Sequence, residues 1–156
     1  MSQAFAKEGD APDEFPERPV SDRPNYVTPA GLADLRQKGE ALARRRETLG
    51  KDDPARALVE RDLRYYEARL ASAIPVPPPA PDVSQARFGC ALELEEAGAR
   101  TRYAIVGEDE ADPAAGKLAW SSPLALALIG AKAGDARTLE SPAGVRTLKI
   151  LSVSAA

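Results

Sequence analysis

The chain has 156 residues, with 21 Lys and Arg against 24 Asp and Glu, 14 prolines, one cysteine and no histidine. Without histidine there is no Ser/His/Asp or Cys/His relay, no histidine metal site and no imidazole switch near neutral pH, and the lone Cys90 supports neither an internal disulfide nor a zinc site. The longest strongly apolar run, residues 124–131, falls far short of the roughly 20 residues of a membrane span, and the opening MSQAFAKEGD has no apolar signal core. The expectation is therefore a soluble, cytoplasmic protein with no cofactor, no bound metal and no membrane partner.

The first stretch, residues 1–25, carries three basic and six acidic side chains, with Pro12, Pro16, Pro19 and Pro24 among them. It has too little apolar surface to offset chain entropy, so a disordered, acidic, proline-rich tail is expected. Residues 26–74 read as a helical hairpin. Thr28 can cap a helix that has Pro29 at its first position, where a missing amide donor does no harm. Leu32, Leu35, Leu42 and Leu49 then place an apolar stripe on one face. Gly50 stops that helix, and Asp53 with Pro54 restarts another through Leu58, Val59, Leu63, Tyr66, Leu70 and Ile74, which Pro75 ends. Two amphipathic helices joined by a loop of a few residues run antiparallel over roughly 30 Å. Seven arginines, Arg44 to Arg46, Arg56, Arg61, Arg64 and Arg69, decorate the pair. Arg44, Arg45 and Arg46 could meet nucleic acid or an acidic channel, but most simply form a solvated face, since Glu40 and Glu47 lie on the same helix.

Residues 75–84, rich in proline, read as a semi-rigid linker. From 85 to 156 the period changes to alternation. Residues 88–94 and 100–106 form a β-hairpin around Gly98, 107–116 is an acidic loop, and 118–120 is a short strand. Ser122 and Pro123 open a short helix that Gly130 closes. Residues 136–140 and 145–153 then pair around Ser141-Pro142-Ala143-Gly144, which has proline and glycine where a tight turn wants them. The fold class is α+β: a short antiparallel coiled coil, then an antiparallel sheet domain with one packed helix.

Four segments carry a family resemblance: Arg87-Phe88-Gly89-Cys90, the run from Tyr103 to Asp112 (YAIVGEDEAD), the run from Ser121 to Gly130 (SSPLALALIG), and Ser141 to Gly144 (SPAG). Following a helical hairpin in this order, they resemble the bacterial Gre transcription elongation factors of the A/B type, over residues 25–153. Ala4 to Glu8 and Asn25 to Gly31 resemble the start of the B-type branch. In that family a coiled coil enters the secondary channel of RNA polymerase, an FKBP-like domain docks at the channel rim, and acidic residues at the coiled-coil tip complete the polymerase's catalytic Mg²⁺. Mg²⁺ wants carboxylates and water in an octahedral array. The polymerase, rather than the factor, is then the enzyme.

The resemblance implies an FKBP-like C-terminal domain and a monomer that binds RNA polymerase through Asp109, Asp112, Ser122, Pro123 and Leu124. It also implies hairpin-tip carboxylates at Asp52 and Asp53, which would touch RNA and the active-site Mg²⁺ only indirectly. The residues admit simpler roles as well: Asp53 and Ser122 as helix caps, and the acidic loop as solvated surface. The hairpin is shorter than the family's, as in the related regulators of nucleoside diphosphate kinase. Its tip lacks the family's Asp and Glu separated by two residues. Modulation of elongation without strong stimulation of transcript cleavage is expected. The competing readings are an adaptor that offers its basic hairpin to another partner and an FKBP-type prolyl isomerase. The latter would need several convergent aromatics, and the domain offers Phe88, Tyr103 and Trp120.

Overall fold

The structure, a computed structural model, describes residues 15–156. The order is β1 (Asn25–Val27), α1 (Pro29–Thr48), α2 (Pro54–Ser72), β2 (Ala73–Pro75), β3 (Cys90–Glu96), β4 (Ala99–Val106), two 3₁₀ turns (Glu108–Glu110 and Pro113–Ala115), β5 (Lys117–Ala119), α3 (Pro123–Leu128), β6 (Ala136–Ser141) and β7 (Gly144–Ala155). The described chain divides into two compact units, residues 15–24 with 33–73, and residues 25–32 with 74–156.

The two long helices follow from their caps. The Thr28 hydroxyl accepts from the Gly31 amide at 3.0 Å where α1 begins, and Asp53 accepts from the Ala55 amide at 2.9 Å where α2 begins. Between them the Arg56 guanidinium donates to the carbonyls of Arg46 at 3.2 Å and Leu49 at 2.8 Å. It thereby satisfies acceptors that the end of a helix leaves open. Leu35, Val59 and Leu63 are buried along the apolar stripe. Arg69, which the periodicity leaves among the surface arginines, is instead 1% exposed.

The expected N-terminal tail lies outside the described residues as far as position 14. Beyond that the outcome differs from expectation, because Glu17 pairs with Arg64 and Arg18 stands 4.0 Å from the centroid of the Tyr65 ring. The proline-rich stretch also differs from a free spacer. Pro79 is buried, and the Val76 amide donates to the Val27 carbonyl at 2.9 Å, where β1 and β2 form a small sheet of their own.

The main sheet has the order β5-β4-β3-β7-β6. β3–β4, β3–β7 and β6–β7 are antiparallel as expected, but β5 runs parallel to β4, with Ala104 opposite Lys117 and Val106 opposite Ala119. The sheet is thus mixed rather than purely antiparallel. A parallel neighbour needs a return crossover instead of a tight turn, and residues 107–116, read as a plain loop, supply it through the two 3₁₀ turns. One face of the sheet buries Leu92, Leu94, Ile105, Leu148 and Ile150 against Ala125 and Leu128 of α3, because alternation directs every second side chain there. The β3–β4 turn holds Ala97 at φ 51° and Gly98 at φ 81°, the left-handed pair that a two-residue hairpin requires.

Candidate functional site

The resemblance points to the acidic turn and the start of α3, and both pack beside β5. Ser121 ties them together, its hydroxyl donating to the Glu108 carboxylate at 2.5 Å. The candidates then part by role. The Ser122 hydroxyl accepts from the Ala125 amide at 3.3 Å and caps α3. Leu124 is partly buried against the core. Asp112 and Pro123 are exposed, and Asp109 is half-buried. What stays exposed among these segments is therefore the Asp112 carboxylate, the Pro123 ring and the side chain of Leu126.

Glu110 organises the turn, although in the sequence it is one carboxylate of an acidic run. One carboxylate oxygen accepts from the amides of Thr28 at 3.1 Å and Gly107 at 3.0 Å, and the other accepts from the Thr28 hydroxyl. The first turn of α1 is thereby fastened to the acidic turn. Two glycines make room for this: a Cβ at Gly31 would overlap the Glu110 carboxylate, and one at Gly107 would sit 2.5 Å from the Tyr26 carbonyl oxygen. The G-x-x-E spacing from Gly107 to Glu110 is a local capping signal, but the bonds to Thr28 cross 82 positions of sequence and leave no local trace.

The aromatics do not converge on a cavity. Tyr26, on β1, packs at 6.1 Å from Phe88 and 5.2 Å from Trp120 between ring centroids. A cavity of about 330 Å³ opens beside them, lined by Thr28, Val76, Pro77, Phe88, Val106 and Lys117 among others, and among the described residues Phe88 is its only aromatic. That lining does not favour a prolyl isomerase. At the hairpin tip Asp52 and Asp53 are exposed, and Asp53 acts as the cap of α2. Among the described residues no group of three or more Asp, Glu or Cys is placed to hold a metal ion, and no helix is long and apolar enough to cross a membrane.

Residues 80–155 match the family model described as the C-terminal domain of the transcription elongation factors GreA/GreB. The chain is 34% identical over 136 residues to the transcription elongation factor GreA of Verminephrobacter eiseniae, covering 85% of this chain and 84% of that one. It is 36% identical over 128 residues to GreA of Methylococcus capsulatus, covering 77% and 73%. Among solved structures, the GreA factor homolog Gfh1 of Thermus thermophilus matches 84% of this chain and 99% of its own, at 23% identity and a TM-score of 0.41. That likeness is too loose to carry residue roles across.

Proposed function

The chain belongs to the GreA/GreB family of transcription elongation factors, and from that premise we propose that it binds RNA polymerase at the rim of the secondary channel and modulates elongation without itself catalysing a reaction. The observation that supports this reading is that Asp112, bridged to Lys117 at the start of β5, and Pro123, at the capped start of α3, are both exposed. An exposed carboxylate and an exposed proline ring suit a basic and apolar patch on a large partner, and the anchorage of the acidic turn by Ser121 and Glu110 and of α3 by Ser122 reduces the entropy lost on docking. Asp109 and Leu124, both half-buried, are assigned to the same contact.

Strong stimulation of transcript cleavage is not part of the proposal. The α1 and α2 helices have 20 and 19 residues, which gives roughly 30 Å of reach at 1.5 Å per residue. At the tip, one oxygen of the Asp53 carboxylate caps α2 through the Ala55 amide, so Asp52 is the tip carboxylate with no helix-capping role to approach a polymerase-bound Mg²⁺. Binding to purified core RNA polymerase tests the reading, with cleavage of a backtracked complex followed on the same sample. Asp112→Arg with Pro123→Glu should weaken binding about tenfold or more, since hot-spot losses of 1.4 kcal/mol and above are common at interface centres. Both positions are exposed, and glutamate is favourable in a first helical turn, so the fold survives the change. Unchanged binding by the double variant would refute the assignment of this surface.

A further inference from the structure

We propose that residues 15–24 form an ionic latch over α2, closing a guanidinium-binding site that recognises an arginine on an extended segment of a partner protein. The site is on the helical unit and is at present filled by the chain's own Arg18. Its guanidinium lies 4.0 Å from the Tyr65 ring centroid and 5.3 Å from that of Tyr66, with a terminal nitrogen 3.5 Å from the Asp62 Oδ1, an oxygen that also accepts from the Arg61 guanidinium at 2.9 and 3.2 Å. An aromatic face beside a carboxylate is the chemistry that selects arginine over other side chains. A shallow cavity of about 330 Å³, lined by Arg18, Lys38, Ala41, Leu42, Asp62 and Tyr66, continues from it.

The neighbouring residue provides a second clasp of opposite sign. Both oxygens of Glu17 accept from the Arg64 Nε at 3.0 and 3.2 Å, and Arg64 holds the Glu17 carboxyl below the usual carboxylate range. Glu17 and Arg18 are flanked by Pro16 and Pro19, which fix φ and lower the entropy cost of an extended strap. Towards its C-terminal end the strap has no buried apolar anchor, since Val20 is 49% exposed; at its other end Phe15 is half-buried. The clasps are themselves solvent-accessible, with side-chain exposures of 63% and 55% for Glu17 and Arg64 and 34% and 25% for Arg18 and Asp62. Contacts of this kind weaken with salt, so the strap is made to open.

The test uses the full chain and needs no polymerase, so it stands or falls independently of the proposed function. Arg18→Ala empties the site while leaving α2 and its Asp62 and Tyr65 intact. A peptide with the sequence of residues 15–24 is then titrated to millimolar concentration, and the α2 amide shifts are followed by NMR. The peptide should bind the Arg18→Ala protein at least about tenfold more tightly than the native chain, whose own strap competes at high effective concentration. A peptide carrying the same Arg18→Ala change should not bind. Equal binding to both proteins, equal binding by both peptides, or no shifts at all would overturn the proposal. As a second readout, glutamyl endopeptidase should cut the Glu17–Arg18 bond several-fold more slowly in the native chain than in Asp62→Asn/Arg64→Gln at low salt. Rates are referred to the free peptide, and the difference should vanish near 0.5 M salt, where screening is short-ranged. Equal rates at low salt would also refute the latch.

Discussion

The helical unit and the sheet unit hold themselves together by different means. In the helical unit Leu35, Val59 and Leu63 are buried, and much of the remaining order comes from polar devices: the cap at Asp53, the Arg56 guanidinium on two helix-end carbonyls, and surface ion pairs. In the sheet unit a continuous cluster fills the space between β3, β4, β7 and α3, with Leu92, Leu128, Leu148 and Ile150 at 0% exposure. Apolar burial contributes roughly 25 cal/mol per Å² and is insensitive to salt, whereas exposed ion pairs contribute about 0–1 kcal/mol each and are screened. The rigid unit therefore carries the proposed docking surface, and the unit with the fewer buried anchors carries the latch.

The comparison breaks most sharply in the two cores. Ile150→Ala should cost about 3–5 kcal/mol, the upper part of the range for a close-packed site that cannot collapse. Leu63→Ala in the hairpin should cost about 2–3 kcal/mol, because Leu63 is 7% exposed and two helices can close on the gap more readily than a sheet. Urea midpoints of the two variants measure the difference; equal losses would mean that the hairpin is packed as tightly as the sheet.

A smaller effect sharpens the role of Glu110. Glu110→Ala leaves the amides of Thr28 and Gly107 and the Thr28 hydroxyl without their acceptor, a loss of about 2–4 kcal/mol for charge-assisted bonds that are partly buried. Glu110→Gln keeps a carbonyl for the two amides. Its NH₂, however, cannot accept the proton that the Thr28 hydroxyl donates to the carboxylate, so about 1 kcal/mol should be lost. Thermal midpoints check the order native, then Gln, then Ala. A Gln variant as unstable as the Ala variant would show that charge, rather than the pattern of acceptors, governs the turn.

What is legible in the sequence follows the same physical division between local and distant causes. The two helices and their turn can be read because caps and the 3.6-residue period are local signals, and the β3–β4 and β6–β7 hairpins because alternation and turn residues are local too. The parallel pairing of β5, the small β1–β2 sheet and the burial of Arg69 cannot, since each depends on partners distant in sequence. The candidate site divides similarly. Ser122 and Asp53 are readable as caps, and as caps they appear. Tyr26 carries no such signal and Glu110 carries one only for its bond to Gly107, because the Thr28 bonds and the Phe88 and Trp120 rings that define the two lie more than 60 positions away.

The smallest expected effect concerns a surface clasp on the sheet unit that parallels those of the latch. Arg146 donates to both oxygens of Glu96 at 2.7 Å, and this bidentate bond holds the Glu96 carboxyl below its ordinary value of 4.5. A carboxylate whose folded value is depressed contributes stability that is fully present above the unfolded value and disappears as pH falls through the folded one. Glu96→Gln should therefore destabilise the protein at pH 7 and converge with the native chain in acid, below the ordinary glutamate range. The side chains are 31% and 36% exposed, so screening limits the pair to about 0.2–1 kcal/mol. Urea midpoints between pH 7 and pH 3 follow the convergence, and a difference that persisted at the acid end would mean that the introduced amide disturbs the β3–β4 turn instead of the ion pair.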